Sequence, residues 1–117
     1  MISRTHRFHG HNSLNFVYRN GQTIRGPLFA LKFAPNSRRQ TYRVAVVVSR
    51  KVNKSAVARN RMRRRIYSII RDLENQISSP YDIVITVFHS TLLDEPHQAL
   101  AAQVRRQLAQ AGIIKKS

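Results

Sequence analysis

The sequence predicts an α/β fold: an α+β sandwich with helices on a four-stranded mixed sheet, in the order α-β-β-β-α-β-α. Three observations carry this. Residues 28–34, 42–49 and 81–88 are short runs rich in β-branched and aromatic side chains. Residues 55–77 repeat their apolar positions every three or four places, as an amphipathic helix does. A shorter stretch with the same spacing follows Pro96 and ends at Gly112.

Taken in order, residues 1–11 are polar and His-rich and read as irregular. Asn12 or Ser13 caps a short helix running to Arg19, which Asn20-Gly21 stops. Residues 22–25 form a short strand, broken by Gly26-Pro27. In residues 28–34, Phe29, Leu31 and Phe33 share one face, opposite Leu28, Ala30 and Lys32. Residues 35–40 form a turn. The VAVVV run within 42–49 suits a strand buried on both faces. In the long helix, Met62, Ile66, Ile69, Ile70, Leu73 and Ile77 fall within one arc, and Asn60, Arg64, Tyr67 and Arg71 fall opposite it. Arg61 and Arg65 lie on one flank of that arc and Arg63 on the other. Residues 78–80 (Ser-Ser-Pro) end this helix. After the strand 81–88, Asp94 is the expected N-cap of the last helix, which Leu100, Val104 and Leu108 line.

The charge is as informative as the pattern. Among 117 residues the net charge is +16, and the first 71 residues hold 17 Lys or Arg with no Asp or Glu. A length of this order predicts one domain, residues 1–117. Self-repulsion at this charge opposes compaction, so stability should rise with salt or with a bound polyanion. The chain has no cysteine, which excludes disulfides and thiolate chemistry. No apolar run approaches the ~18 residues of a membrane span, and the first residues show no apolar signal core. The basic helix also lacks the Trp and Phe anchors of interfacial helices. The expected location is therefore cytoplasmic, with no membrane partner and no obligate protein partner.

The densest positive field lies on the long helix. Arg59, Arg61, Arg63, Arg64 and Arg65 surround Asn60 in its first turns, Arg71 follows on its outer side, and Lys51 and Lys54 precede it. Solvated helix faces normally mix signs, whereas this one meets no acid until Asp72. Like charges so close together repel. Arginine offers a planar fork to phosphate oxygens and stacks on unpaired bases, so the natural partner is nucleic acid, RNA in particular. Two other nucleic-acid binders stay open on charge and size alone: a ribosomal or ribosome-assembly protein, and a DNA-binding protein with the helix in a major groove. Against the second, strands flank the helix where a helix-turn-helix reader has a tight turn.

The segment 49–71, SRKVNKSAVARNRMRRRIYSIIR, resembles the signature of the protein subunit of bacterial ribonuclease P. The family's RNR core stands here as Arg59-Asn60-Arg61, followed by Met62 and by Arg64 and Arg65. The order of the flanking segments also fits along nearly the whole chain. That resemblance implies a fold like domain 2 of ribosomal protein S5, with a left-handed β-α-β crossover through the arginine helix. It implies that the catalyst is a large RNA that holds Mg²⁺ and that the protein binds this RNA through Arg59, Asn60, Arg61, Arg64 and Arg65. It further implies that the single-stranded 5′ leader of precursor tRNA lies in a cleft between sheet and helix, so that the complex removes the leader endonucleolytically. The leader candidates are Leu14 and Tyr18, where the family usually offers two aromatics, Lys32 in place of an aromatic on the second strand, and Arg50.

The residues agree that the protein itself does not cut RNA. A metal-dependent nuclease needs clustered carboxylates, and here Asp72, Glu74, Asp82, Asp94 and Glu95 are dispersed. A metal-free ribonuclease needs an acid and a base, and nothing in the sequence pairs His6, His9, His11, His89 or His97. The first three have no cysteine and no clear fourth ligand to make a zinc site with them. Tyr18 and Phe16 are candidate base-stacking platforms, whereas Phe29 and Phe33 share a face with Leu31 and read as core.

Overall fold

The computed structural model describes residues 11–36, 41–77 and 79–114, with the side chains of the first helix described from Phe16 onward. The elements are α1 (His11–Asn20), β1 (Gln22–Arg25), β2 (Phe29–Pro35), β3 (Arg43–Val47), α2 (Ala56–Leu73), β4 (Tyr81–Val87) and α3 (His97–Gln110), in the predicted order. Short 3₁₀ turns at Glu74–Gln76 and Ser90–Asp94 follow α2 and β4. The strands form one sheet in the order β1-β2-β4-β3. β1–β2 and β2–β4 are antiparallel, and β3–β4 is parallel. A parallel pair needs a long crossover, and α2 is that crossover.

Alternation along the strands divides the molecule into three layers. Phe29, Leu31, Val44, Val46, Ile83 and Ile85 point to one face, where they pack with Met62, Ile66 and Ile70 of α2 and Leu100, Val104 and Leu108 of α3. On the other face Val17 of α1 packs on Ala45 and Val84, with Val47 partly covered. The VAVVV run is therefore covered on both sides, although β3 is an edge strand. α1 stops where expected. The Gly21 N–H donates to the Val17 carbonyl at 2.7 Å, and the Asn20 side chain donates to the Phe16 carbonyl at 3.1 Å. A Cβ on Gly21 would lie 2.5 Å from the Val17 carbonyl oxygen and 2.9 Å from that of Phe33. Only glycine lets α1 turn so tightly onto β2.

Four expectations are corrected. His11 belongs to α1 and not to an irregular tail, so Asn12 and Ser13 lie within the helix and neither is its N-cap. The α-helical part of α2 ends at Leu73, and the chain tightens into the 3₁₀ turn before Ile77. Asp94 does not cap α3: it lies in the turn Ser90–Asp94, and Pro96 precedes the helix with no side-chain cap. Tyr67, expected on the outer face, is buried at 6% exposure. α2 sits at the sheet edge, so its covered arc is wider than its aliphatic stripe. Tyr67 reaches around that edge, and its hydroxyl accepts the Val46 N–H of β3 at 3.1 Å. Gly112, with φ of 78°, terminates α3 as predicted.

Candidate nucleic-acid interface

β3 and β4 are parallel, and α2 runs back between them. The start of α2 therefore stands at the sheet end where β3, β4 and β1 finish and β2 begins. Lys51, Lys54, Arg50 and the RNR triplet all gather at that end. The loop between β3 and α2 is held by its own chemistry. Asn53 Oδ1 accepts the Ser55 N–H at 2.9 Å, and the Ser55 side chain caps α2 by accepting the Ala58 N–H at 3.2 Å. Arg59 Nη1 donates to the carbonyls of Asn53 and Lys54, each at 3.0 Å. The first residue of the triplet thus ties the loop to the helix while leaving donors free.

The predicted cations separate into three groups. Arg50, Lys51, Lys54, Arg61 and Arg64 are exposed, and Asn60 and Arg63 are partly buried. None of these has a hydrogen bond or ion pair involving its side chain among the described residues. Arg65 is also partly buried, but it is hydrogen-bonded to backbone carbonyls of Leu92, Leu93 and Glu95. Arg71 is exposed at the far end of α2, twelve residues and about 18 Å along the axis from Arg59. It lies near the Tyr42–Glu74 pair. The run therefore does not act as one cluster.

The face of the sheet toward α1 carries a second set of groups. α1 covers only part of this face. Tyr18 is 41% and Phe16 52% exposed. Lys32 pairs with Val84, so its side chain emerges beside α1, and its Nζ lies 5.8 Å from the centre of the Tyr18 ring. Arg25 is on the same face, with its guanidinium 4.7 Å from the centre of the Phe88 ring. Both are cation–π distances. Phe29 and Phe33 point to the opposite face and are buried, which removes them as platforms. Of the leader candidates, Tyr18 and Lys32 meet and Arg50 lies at the adjoining end. The side chain of Leu14, like His6, His9 and the side chain of His11, lies outside the described residues. The sequence reading missed Arg25 and Phe88. Their signal was present in the alternation of β1 and in the residue after β4, but their meeting depends on strand order.

Among the described residues, two of the five acidic side chains, Asp82 and Glu74, have structural partners. Asp82 accepts from Arg43 Nε and Nη2, each at 2.8 Å, and from Asn36 Nδ2 at 2.9 Å. Glu74 accepts from the Tyr42 hydroxyl at 2.8 Å. Among the described residues no three His, Asp or Glu come together in a way that could hold a metal ion. No described helix is long and apolar enough to cross a membrane.

A surface of unpaired cations beside a partly open sheet face fits RNA, and comparison with known proteins identifies the family. The sequence profile of the ribonuclease P family matches residues 2–112. The chain belongs to the ribonuclease P protein family. It is 33% identical over 115 residues to the ribonuclease P protein component of Pseudanabaena sp., covering 97% of both chains. It is 34% identical over 113 residues to that of Chloroflexus aurantiacus, covering 97% of this chain and 82% of the relative. The fold is shared with the RNase P protein of Staphylococcus aureus, at a TM-score of 0.83 and 19% identity, over 94% of this chain and 98% of that one. Membership makes the chain a component of an endoribonuclease complex in tRNA processing that works with ribonuclease P RNA.

Proposed function

We propose that the chain binds the catalytic RNA through the first turns of α2 and the loop before it, and holds the 5′ leader of precursor tRNA on the sheet face beside α1. The observation that supports this is the juxtaposition of the two surfaces. The unpaired Arg61, Arg64, Lys51 and Lys54 stand at the end of the sheet where Arg25–Phe88 is displayed, and Lys32–Tyr18 follows on the same sheet face toward its middle. The cations lower the repulsion between two RNAs, and the aromatic rings with their cations suit unpaired bases, which stack without strict sequence preference. Hydrolysis belongs to the RNA. In this reading Mg²⁺ is held by the RNA, and the protein alone is inactive. Leader contacts add affinity for precursor over mature tRNA.

Reconstitution tests this reading. The purified chain is mixed with its cognate ribonuclease P RNA at low Mg²⁺, and cleavage of a 5′-labelled precursor tRNA is followed. Correct cleavage should rise only when both are present, and the chain alone should give none. Equal affinity of the assembled complex for precursor and mature tRNA would overturn the leader-binding half. Cleavage by the protein alone would overturn the assignment of catalysis to RNA.

A further inference from the structure

Arg65 departs from its neighbours on α2. Its Nη1 donates to the carbonyls of Leu92 at 2.6 Å and Leu93 at 2.9 Å, and its Nη2 donates to the carbonyl of Glu95. These carbonyls lie at and just beyond the end of the 3₁₀ turn Ser90–Asp94. Helix ends of this kind leave carbonyls without intrahelical partners and carry partial negative charge, which a cation satisfies. Arginine grips phosphate by presenting parallel N–H groups to two oxygens. Here the end of the guanidinium is turned onto the protein. Arg61, one turn earlier on the same flank, is exposed, as is Arg64.

The segment that Arg65 holds is well placed to matter. It follows Phe88, whose ring lies under Arg25, and begins with the exposed His89, Ser90 and Thr91. It then leads through Glu95 and Pro96 into α3. Its apolar anchor is Leu92, which is buried in the core, and its backbone bonds include two long ones, Leu92 N–H to the His89 carbonyl at 3.2 Å and Glu95 N–H to the Leu92 carbonyl at 3.4 Å. We propose that Arg65 is a positioning residue. It makes no phosphate contact, and it seats residues 89–95 against α2, holding them, with the neighbouring Phe88, at the end of the sheet face that takes the single-stranded leader. This rests on the reading that α2 and the sheet face bind RNA.

Arginine-selective labelling of the intact protein with an α-dicarbonyl reagent, read by mass spectrometry, tests the brace without any variant. Arg65 should label slowly in the free protein and be unchanged by the catalytic RNA. Arg61 and Arg64 should label quickly and become protected. Two variants then separate the roles. Arg64→Met should lower the salt slope of RNA affinity by about 0.9, the loss of one phosphate contact. Arg65→Met should leave that slope unchanged, yet lower the precursor-over-mature affinity ratio of the assembled complex severalfold with mature tRNA affinity held. Fast labelling at Arg65, or a reduced slope in Arg65→Met, overturns the proposal. An unchanged ratio reduces Arg65 to a structural tie and overturns the positioning role. If RNA fails to protect Arg61 and Arg64, the interface reading fails and takes the proposal with it. That outcome is told apart by Arg65 still labelling slowly in the free protein.

Discussion

Asp82 lies on the sheet face toward α1, and its side chain and that of Arg43 are 4% and 14% exposed. Their bidentate contact joins the parallel strands β3 and β4, and Asn36 fills a further acceptor site. Breaking a buried pair on one side leaves a charge without compensation, at a cost of about 3–5 kcal/mol. Asp82→Asn should therefore destabilise by that order, because the new amide sets a donor against the donors of Arg43 and Asn36. Urea denaturation should show a lower midpoint with an unchanged slope. Tyr42 carries a different dependence. Burial, and then the hydrogen bond to Glu74, push its phenol well above the ordinary value of 10. The folded state thus holds this proton more tightly than the unfolded chain. The resulting stability is complete below pH 10 and is lost as pH rises beyond it. Thermal melts from about pH 8 to 11 should show Tyr42→Phe less stable at the lower end, where its bond to Glu74 is missing, and less steep in its alkaline decline.

At the scale of the element, α2 serves three surfaces at once. Its aliphatic arc fills the core, its first turns carry the unpaired cations of the proposed RNA interface, and Tyr67 closes the outer edge of β3. An unpaired edge is a template for association with another chain, and the Tyr67 hydroxyl takes up one of its N–H groups. Tyr67→Phe should cost about 1–3 kcal/mol, the penalty of a buried donor left unsatisfied. Faster hydrogen exchange at Val46 would locate the effect, and unchanged exchange would show that the hydroxyl is dispensable. These features differ in how far the sequence discloses them. The periodicity of Met62, Ile66, Ile69 and Ile70 was legible because it depends only on helical geometry, and the alternation of Phe29, Leu31 and Phe33 likewise. Tyr67 was not, because its burial depends on α2 lying at a sheet edge. Arg65 read as one more surface cation because its partners are backbone carbonyls nearly thirty positions away, whose placement no local pattern encodes. Asp94 failed as a cap for a related reason: the apolar Leu92 is drawn into the core, which winds residues 90–94 into their own turn before α3 begins.

For the whole molecule the governing quantity is a charge of +16 within 36 × 34 × 25 Å. At about 0.01 M salt the screening length is about 30 Å, so nearly every cation feels every other. At about 0.15 M it falls to about 8 Å and only neighbours interact. The melting temperature should therefore rise with sodium chloride across this range, while affinity for the catalytic RNA falls because counterions released on binding gain less entropy in more concentrated salt. A flat melting temperature would show that packing already overrides the repulsion. The two trends share a cause that can be located. If the interface cations are what strain the free protein, Arg61→Met with Arg64→Met should raise the melting temperature at low salt, have little effect at high salt, and weaken RNA binding throughout. The exposed acids are too few to offset those arginines within the fold, so the compensation has to come from the bound partner. A double variant less stable than the parent at low salt would place the strain elsewhere, in the cations of the loop before α2 or in Arg71.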